Sequence, residues 1–194
     1  MSGEHPENRA DDVRYSPRAV EDDDWITAFL TQQPTCVLGL VDEGSPYVVN
    51  QLFVYDPTEY AIYLHGAITG KTRTIVEQSD SPDASLTVSR MGRLLPAENP
   101  VDFDVEYASV VGYGEISLVV DSDQKRRALE LLMAKFAPHL TSGEDYNPIA
   151  ESSIERTSVY RVDIEGWSAK RNEMEEAFTG AYDFTGGEST ENRE

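Results

Sequence analysis

The chain has 194 residues, room for one domain with tails. Thirty-six acidic residues against 16 basic ones give a net charge of −20, which excludes the basic face that nucleic acid or an anionic membrane surface requires. The acids are spread along the whole chain and lysine is confined to positions 71, 125, 135 and 170, a pattern of adaptation to high salt rather than of a block-charged interaction tail.

Residues 1–17 are polar, with Pro6 and Pro17, and are expected to form a disordered tail without the apolar run of a signal peptide. Between Val20 and Gln33, acids precede Trp25, Ile26, Phe29 and Leu30 at helical spacing, so a helix ending at Pro34 is expected. "TCVLGLVDEGSPYVVNQLFVYD" reads as a hairpin turning in "DEGSP". It carries the single cysteine, Cys36, which rules out an intramolecular disulfide and reads as a core thiol.

"AIYLHG" is a third strand, followed by a short helix starting near Gly70 with Ile75 and Val76 facing inward. "ASLTVSRM" is a fourth strand, and "GRLLPAENPVDFDVE" a long irregular connection. "YASVVGYGEISLVV" is a fifth, in which Gly112 and Gly114 suggest a bulge or a close backbone approach. The clearest helix follows, capped by Asp121 or Asp123, with a stripe of Leu129, Leu132, Met133 and Phe136 and an end at Pro138. A weak segment leads to the last strand, "SVYRVDIEGWSAK". The expected fold is mainly β, a six-stranded antiparallel Greek-key barrel with flanking helices over residues 18–172, followed by an acidic, disordered tail over 173–194. No run approaches the roughly 20 apolar residues of a membrane span, so a cytoplasmic protein is expected.

The stretch "YLHGAITGKT" carries the most chemistry. A strand ends, a loop with two glycines follows, and a helix begins at a scarce lysine flanked by hydroxyls. Free N–H groups and the positive end of the helix dipole can hold a phosphate there, together with Thr69, Thr72 and Lys71. "GAITGKT" has one residue too few between its glycines for the nucleotide-binding P-loop, and no acidic strand stands nearby to hold magnesium. A capped surface turn is the competing reading, as a polar strand end is for His65. His5 and His139 stand outside any cluster with metal-ligand spacing, so no metal is expected.

The order of "YVVNQLFVYD", "IYLHGAITGKT", "ASLTVS", "YASVVGYGEISLV", a long helix and a closing strand ending "GWSAK" resembles the pyridoxamine 5'-phosphate oxidase-like FMN-binding split barrels, most nearly their nitroimidazole-resistance-type branch. With the acidic composition, the resemblance implies a haloarchaeal flavoprotein. It also implies a homodimer with FMN at the interface, the ring against the strand Val48, Val49, Asn50, Gln51 and Leu52, and the phosphate held by His65, Gly66, Thr69, Gly70 and Lys71. Ser109 would contribute to the same pocket, with Trp167 and Lys170 as candidates to close the partner's. The implied activity is that of an FMN-dependent oxidoreductase acting on a small molecule, with His65 the catalytic candidate. A flavin-binding module without turnover, or a dimeric barrel without cofactor, are the alternatives. Asn50 where the family often has proline, Gly70 where true oxidases place a basic residue, and the lack of an Arg-containing motif in "GWSAKRNE" speak against pyridoxamine phosphate oxidation itself.

Overall fold

A computed structural model describes residues 4–78 and 81–185. In chain order the elements are β1 (Glu7–Asn8), α1 (Asp23–Gln32), β2 (Thr35–Asp42), β3 (Ser45–Asp56), β4 (Ala61–Ala67), α2 (Lys71–Gln78), β5 (Asp83–Leu95), β6 (Asp104–Leu118), α3 (Ser122–Phe136), α4 (Glu151–Glu155) and β7 (Thr157–Asn172). Six strands close into a ring. β2, β3 and β4 pair as consecutive neighbours, as do β5, β6 and β7, and the two groups join through β2–β5 and β4–β7. All these pairings are antiparallel, and the short β1 adds to β7 in parallel from outside.

Local chemistry accounts for the elements. Asp22 caps α1 by accepting from the Trp25 amide, and Ile26, Phe29 and Leu30 turn into the core. The β2–β3 turn needs only Glu43 and Gly44, both at positive φ (48° and 82°), the two-residue geometry that matches strand twist. Gly114 is obligatory: a Cβ there would lie 1.8 Å from the Asp163 carbonyl oxygen, where the β6–β7 register shifts.

The barrel interior is filled by such residues as Leu38, Phe53, Leu64, Val88, Val110 and Trp167. A second apolar cluster joins Val54, Tyr63 and Val159 on the outer surface to Ala128 and Leu132 of α3. Asp121 caps α3, accepting from Gln124 at 2.8 Å. The buried seam of α3 is Ala128 and Leu132, whereas Phe136 of the expected stripe is 38% exposed. In the last turn Lys135 turns inward, its ammonium 3.8 Å from the centre of the Phe53 ring.

Three expectations differ from what is found. The long irregular connection is mostly strand: β5 runs on to Leu95 and β6 begins at Asp104, paired across a bulge between Met91 and Leu94. The segment expected as a leading tail pairs through Glu7 and Asn8 with Gly166 and Trp167, and Val20 donates to the Ala169 carbonyl. Past Asn172 the chain folds back: Arg93 donates to the carbonyls of Met174, Glu175 and Glu176, and Leu94 exchanges backbone bonds with Tyr182. Residues 1–3 and 186–194 of the expected tails lie outside the described residues.

Candidate functional site

Strands β3 and β4 stay paired from Asp56↔Ala61 to Phe53↔Leu64 and then part. Beyond that point β4 continues against β7 alone, with His65 opposite Val159 and Gly66 opposite Ser158. A split opens between Leu52 and His65. Alternation along the strands fixes what lines it. Phe53 and Leu64 fill the barrel, so Leu52 and His65 take the opposite, outer face, shared by Asn50 and Val48. Val48 is 67% and Leu52 44% exposed. The same alternation separates the five strand residues expected to act together, because Val49 packs against the core. Gln51 shares its side of the strand.

The loop leaving β4 holds Thr69 and Gly70, both exposed, and Gly70 has φ of 124°, where a side chain would be strained. Helix α2 begins at Lys71 and is anchored by buried Ile75 and Val76. The Thr74 amide donates to the Gly70 carbonyl, so the amides of residues 71–73 precede the intrahelical ladder. The tyrosine hydroxyl of Tyr47 lies 3.2 Å from the Thr72 hydroxyl. Thus one corner of the barrel gathers His65, Gly66, Thr69, Gly70, Lys71 and the outer face of β3.

Two residues at this corner were not foreseen. Lys71 donates to the carboxylate of Asp42, which stands at the β2 end of the hairpin. Arg73 reaches Ser158 Oγ at 3.1 Å and Glu77 at 2.5 Å, while its Nε is buried without a partner. Arg73 directly follows the stretch "YLHGAITGKT", but its helical position gave it no separate signal. Asp42 is 29 positions from Lys71 and only the fold joins them. The Nδ1 atom of His65 is also buried and unpartnered. A buried polar atom without a hydrogen bond is costly, and such atoms at a site point to a missing ligand or water.

Ser109 is placed elsewhere on the barrel. It pairs with Ser89 of β5 and Lys170 of β7. Three strand steps part β3 from β6 either way round the ring, so Ser109 stands on the side of the barrel opposite Leu52 of the same chain. Of the two readings of Trp167, closing a partner's pocket or simply being part of the last strand, its burial supports the second. It is fully buried, its indole N–H donates to Asp23 at 3.0 Å, and Tyr55 and Tyr60 pack edge-on against it. Among the described residues no group of His, Cys, Asp or Glu could hold a metal ion, and no helix is long and apolar enough to cross a membrane.

A closed six-stranded barrel, split between β3 and β4 beside a glycine-bearing loop and a helix start, defines the split-barrel class. Residues 22–171 match the pyridoxamine 5'-phosphate oxidase family, and the chain belongs to that family. No curated protein matches it in sequence. Among solved structures, the flavocytochrome Anf3 of Azotobacter vinelandii is 25% identical with a TM-score of 0.75, over 93% of this chain and 80% of that one. An FAD- and heme-binding protein of Mycobacterium smegmatis is 18% identical with a TM-score of 0.71, over 81% and 74% of the two chains. A Bacteroides thetaiotaomicron protein assigned to 5-nitroimidazole antibiotic resistance is 21% identical with a TM-score of 0.64, over 80% and 90%.

Proposed function

We propose that this protein binds FMN at the β3–β4 split, as a homodimer in the cytoplasm, and serves as an oxidoreductase for a small molecule. One observation carries the reading. The split brings the exposed face of Val48, Asn50 and Leu52 next to a helix start with free amides, a lysine, threonine hydroxyls and the unpartnered Nδ1 of His65. These residues fit a flavin phosphate. The amides of residues 71–73 and the Thr69 and Thr72 hydroxyls offer donors, and Gly70 takes the positive φ at which the loop turns into the helix. Lys71 would exchange Asp42 for the phosphate. The apolar outer residues Val48, Leu52 and Ile68, all well exposed, suit cover by a second copy of the chain.

The flavin, when bound, supplies the electron transfer. The protein supplies position and surroundings. The outer strand face orients the ring, the helix start and Lys71 fix the phosphate, and the imidazole of His65 can donate or accept a proton at Nδ1. The flavocytochrome and the FAD-binding neighbour support the flavin assignment by analogy of fold and, for Anf3, of sequence. The acidic, lysine-poor surface fits a haloarchaeal, salt-adapted host.

The Lys71–Asp42 pair favours a second reading, a barrel without cofactor, because the cation that would meet the phosphate is already neutralised. The visible spectrum of the purified protein in concentrated salt, before and after adding FMN, separates the two. Flavin bands that remain with the protein through gel filtration are expected, and a Soret band in the same spectrum would report heme. A colourless protein that does not retain added FMN refutes the flavin reading. With flavin retained, oxidation of NAD(P)H in the presence of an electron acceptor distinguishes turnover from storage.

A further inference from the structure

Lys135 carries a charge that the fold does little to support. It sits in the last turn of α3, half-buried, with its side chain turned toward the barrel. Its Nζ lies 3.8 Å from the centre of the Phe53 ring on β3 and 5.6 Å from that of Phe136, its neighbour on the helix. It donates to the Leu30 carbonyl on α1 at 3.4 Å, a long hydrogen bond. Among the described residues no carboxylate stands within 4.0 Å of it.

These surroundings favour the neutral amine over the ammonium. One turn back along α3 come only Leu131 and Leu132. Cys36 of β2 is the titratable group that bears on Lys135, and burial pushes its thiol up to about 12, so it brings no charge to steady a cation. Burial drives Lys135 itself down to about 8. At pH 7.5 such an amine is roughly one-quarter free base, against roughly one-thousandth for an ordinary lysine near 10.4. The free amine has a lone pair to give, and the side chain is not sealed off from solvent.

We infer that Lys135 is a site of covalent acylation by small activated acyl groups, carried as acyl phosphates or acyl thioesters. The Nζ lone pair attacks the acyl carbon and a C–N bond forms. The C–O bond to phosphate, or the C–S bond to the thiol, breaks. The amine proton leaves with the phosphate or thiolate, so no oxidant or reductant takes part. The product is a neutral amide, which a seat between two aromatic rings accepts more readily than an ammonium. The step uses none of the residues gathered at the β3–β4 split and stands whether or not a flavin occupies it.

The test uses the full-length protein as purified, in constant salt. It is treated with acetyl phosphate or, separately, with acetyl-CoA, and each acetylated lysine is quantified by peptide mass spectrometry. At pH 7.5 Lys135 should react about tenfold faster than Lys71, Lys125 or Lys170, the gain in free amine being partly offset by lower basicity and narrower access. Its rate should level off once the pH passes about 8. In guanidinium-unfolded protein the four lysines should react within about twofold of one another, because the preference belongs to the fold. Lys135→Gln should remove the fast phase of acetyl uptake, and Lys125→Gln should leave it. Reaction with one donor alone identifies which class of acyl group the site takes. Labelling of Lys135 no faster than the other lysines with both donors, the same preference in the unfolded chain, or a fast phase that survives Lys135→Gln overturns the inference.

Discussion

Lys71 is the residue on which the flavin reading can be broken most cleanly. Its ammonium is half exposed and pairs with Asp42, so removing it costs the fold little, about 0–1 kcal/mol for an exposed pair. If the same ammonium meets the flavin phosphate, Lys71→Ala removes a hydrogen bond to a charged group, worth about 1.5–3 kcal/mol, and Kd for FMN rises roughly 10- to 150-fold. Asp42→Asn acts in the opposite direction. It frees Lys71 from a competing carboxylate and removes a negative charge near the phosphate. A charge some 6 Å away contributes about 1 kcal/mol in a largely aqueous setting, less in strong salt, so FMN should bind up to about fivefold more tightly. The double variant should bind FMN more weakly than the parent but up to about fivefold more tightly than Lys71→Ala, because the Asp42 charge near the phosphate is gone as well. Quenching of FMN fluorescence on titration with protein, at one fixed salt concentration, measures all four constants. The reasoning fails if Lys71→Ala binds FMN within twofold of the parent, or if Asp42→Asn weakens binding.

Two further predictions concern charges held by the fold. Lys135 is driven by burial to a pKa of about 8, has no carboxylate partner among the described residues, and meets the Phe53 and Phe136 rings and the Leu30 carbonyl. The unfolded chain keeps this proton to about pH 10.4 and the folded chain releases it from about 8, so the native state binds fewer protons in between and stability should rise across that window. Lys135→Met should abolish this slope in denaturant melts and raise stability at pH 7 by about 1 kcal/mol, after discounting for partial exposure. Asp56 is buried beneath α3. Burial pushes its carboxyl up, but hydrogen bonds from Thr58 and Arg127 outweigh it and the net shift is downward. Its contribution is therefore complete above the unfolded carboxylate range and lost as pH falls below it. Asp56→Asn should cost about 2–3 kcal/mol at pH 7 by thermal or chemical melting, and the deficit should shrink in acid.

The elements that packing alone dictates were legible in the sequence. The α1 stripe of Ile26, Phe29 and Leu30, the β2–β3 hairpin and the close approach at Gly114 all follow from local pattern and sterics. The misread segments owe their state to distant partners. Gly92 to Leu95 looked irregular because "GRLLP" has no clean alternation, yet β6 supplies a ladder across a bulge. Residues 4–17 looked like a tail because they are polar, yet Asn8 donates to Asp23, and His5 packs edge-on against Tyr60 and Trp167. At the candidate site the loop and helix start were legible from glycine, lysine and threonine. The Asp42 partner of Lys71, the inward turn of Val49 and the distance of Ser109 depend on register and ring closure, which no local window contains.

Charge links the composition to the candidate site. A chain at −20 repels anions at long range, so it can bind one only where cations are left over after internal pairing. Most arginines are spent inside the fold: Arg127 on Asp56 and Glu59, Arg161 on Glu59 and Asp163, Arg93 on Glu106. Arginine suits that duty because its planar fork can bridge two acids at once, as Arg161 does, whereas lysine is a point charge. What remains is sparse and localised. Lys71 is held by one exchangeable carboxylate at a helix start. High salt sharpens this arrangement. With a screening length near 3 Å at 1 M, the repulsion from the rest of the surface fades, while contacts at hydrogen-bond distance persist. Anion binding at the helix start should therefore fall less steeply with salt than binding by a diffuse basic face, since direct contacts rather than the protein's overall field supply the attraction.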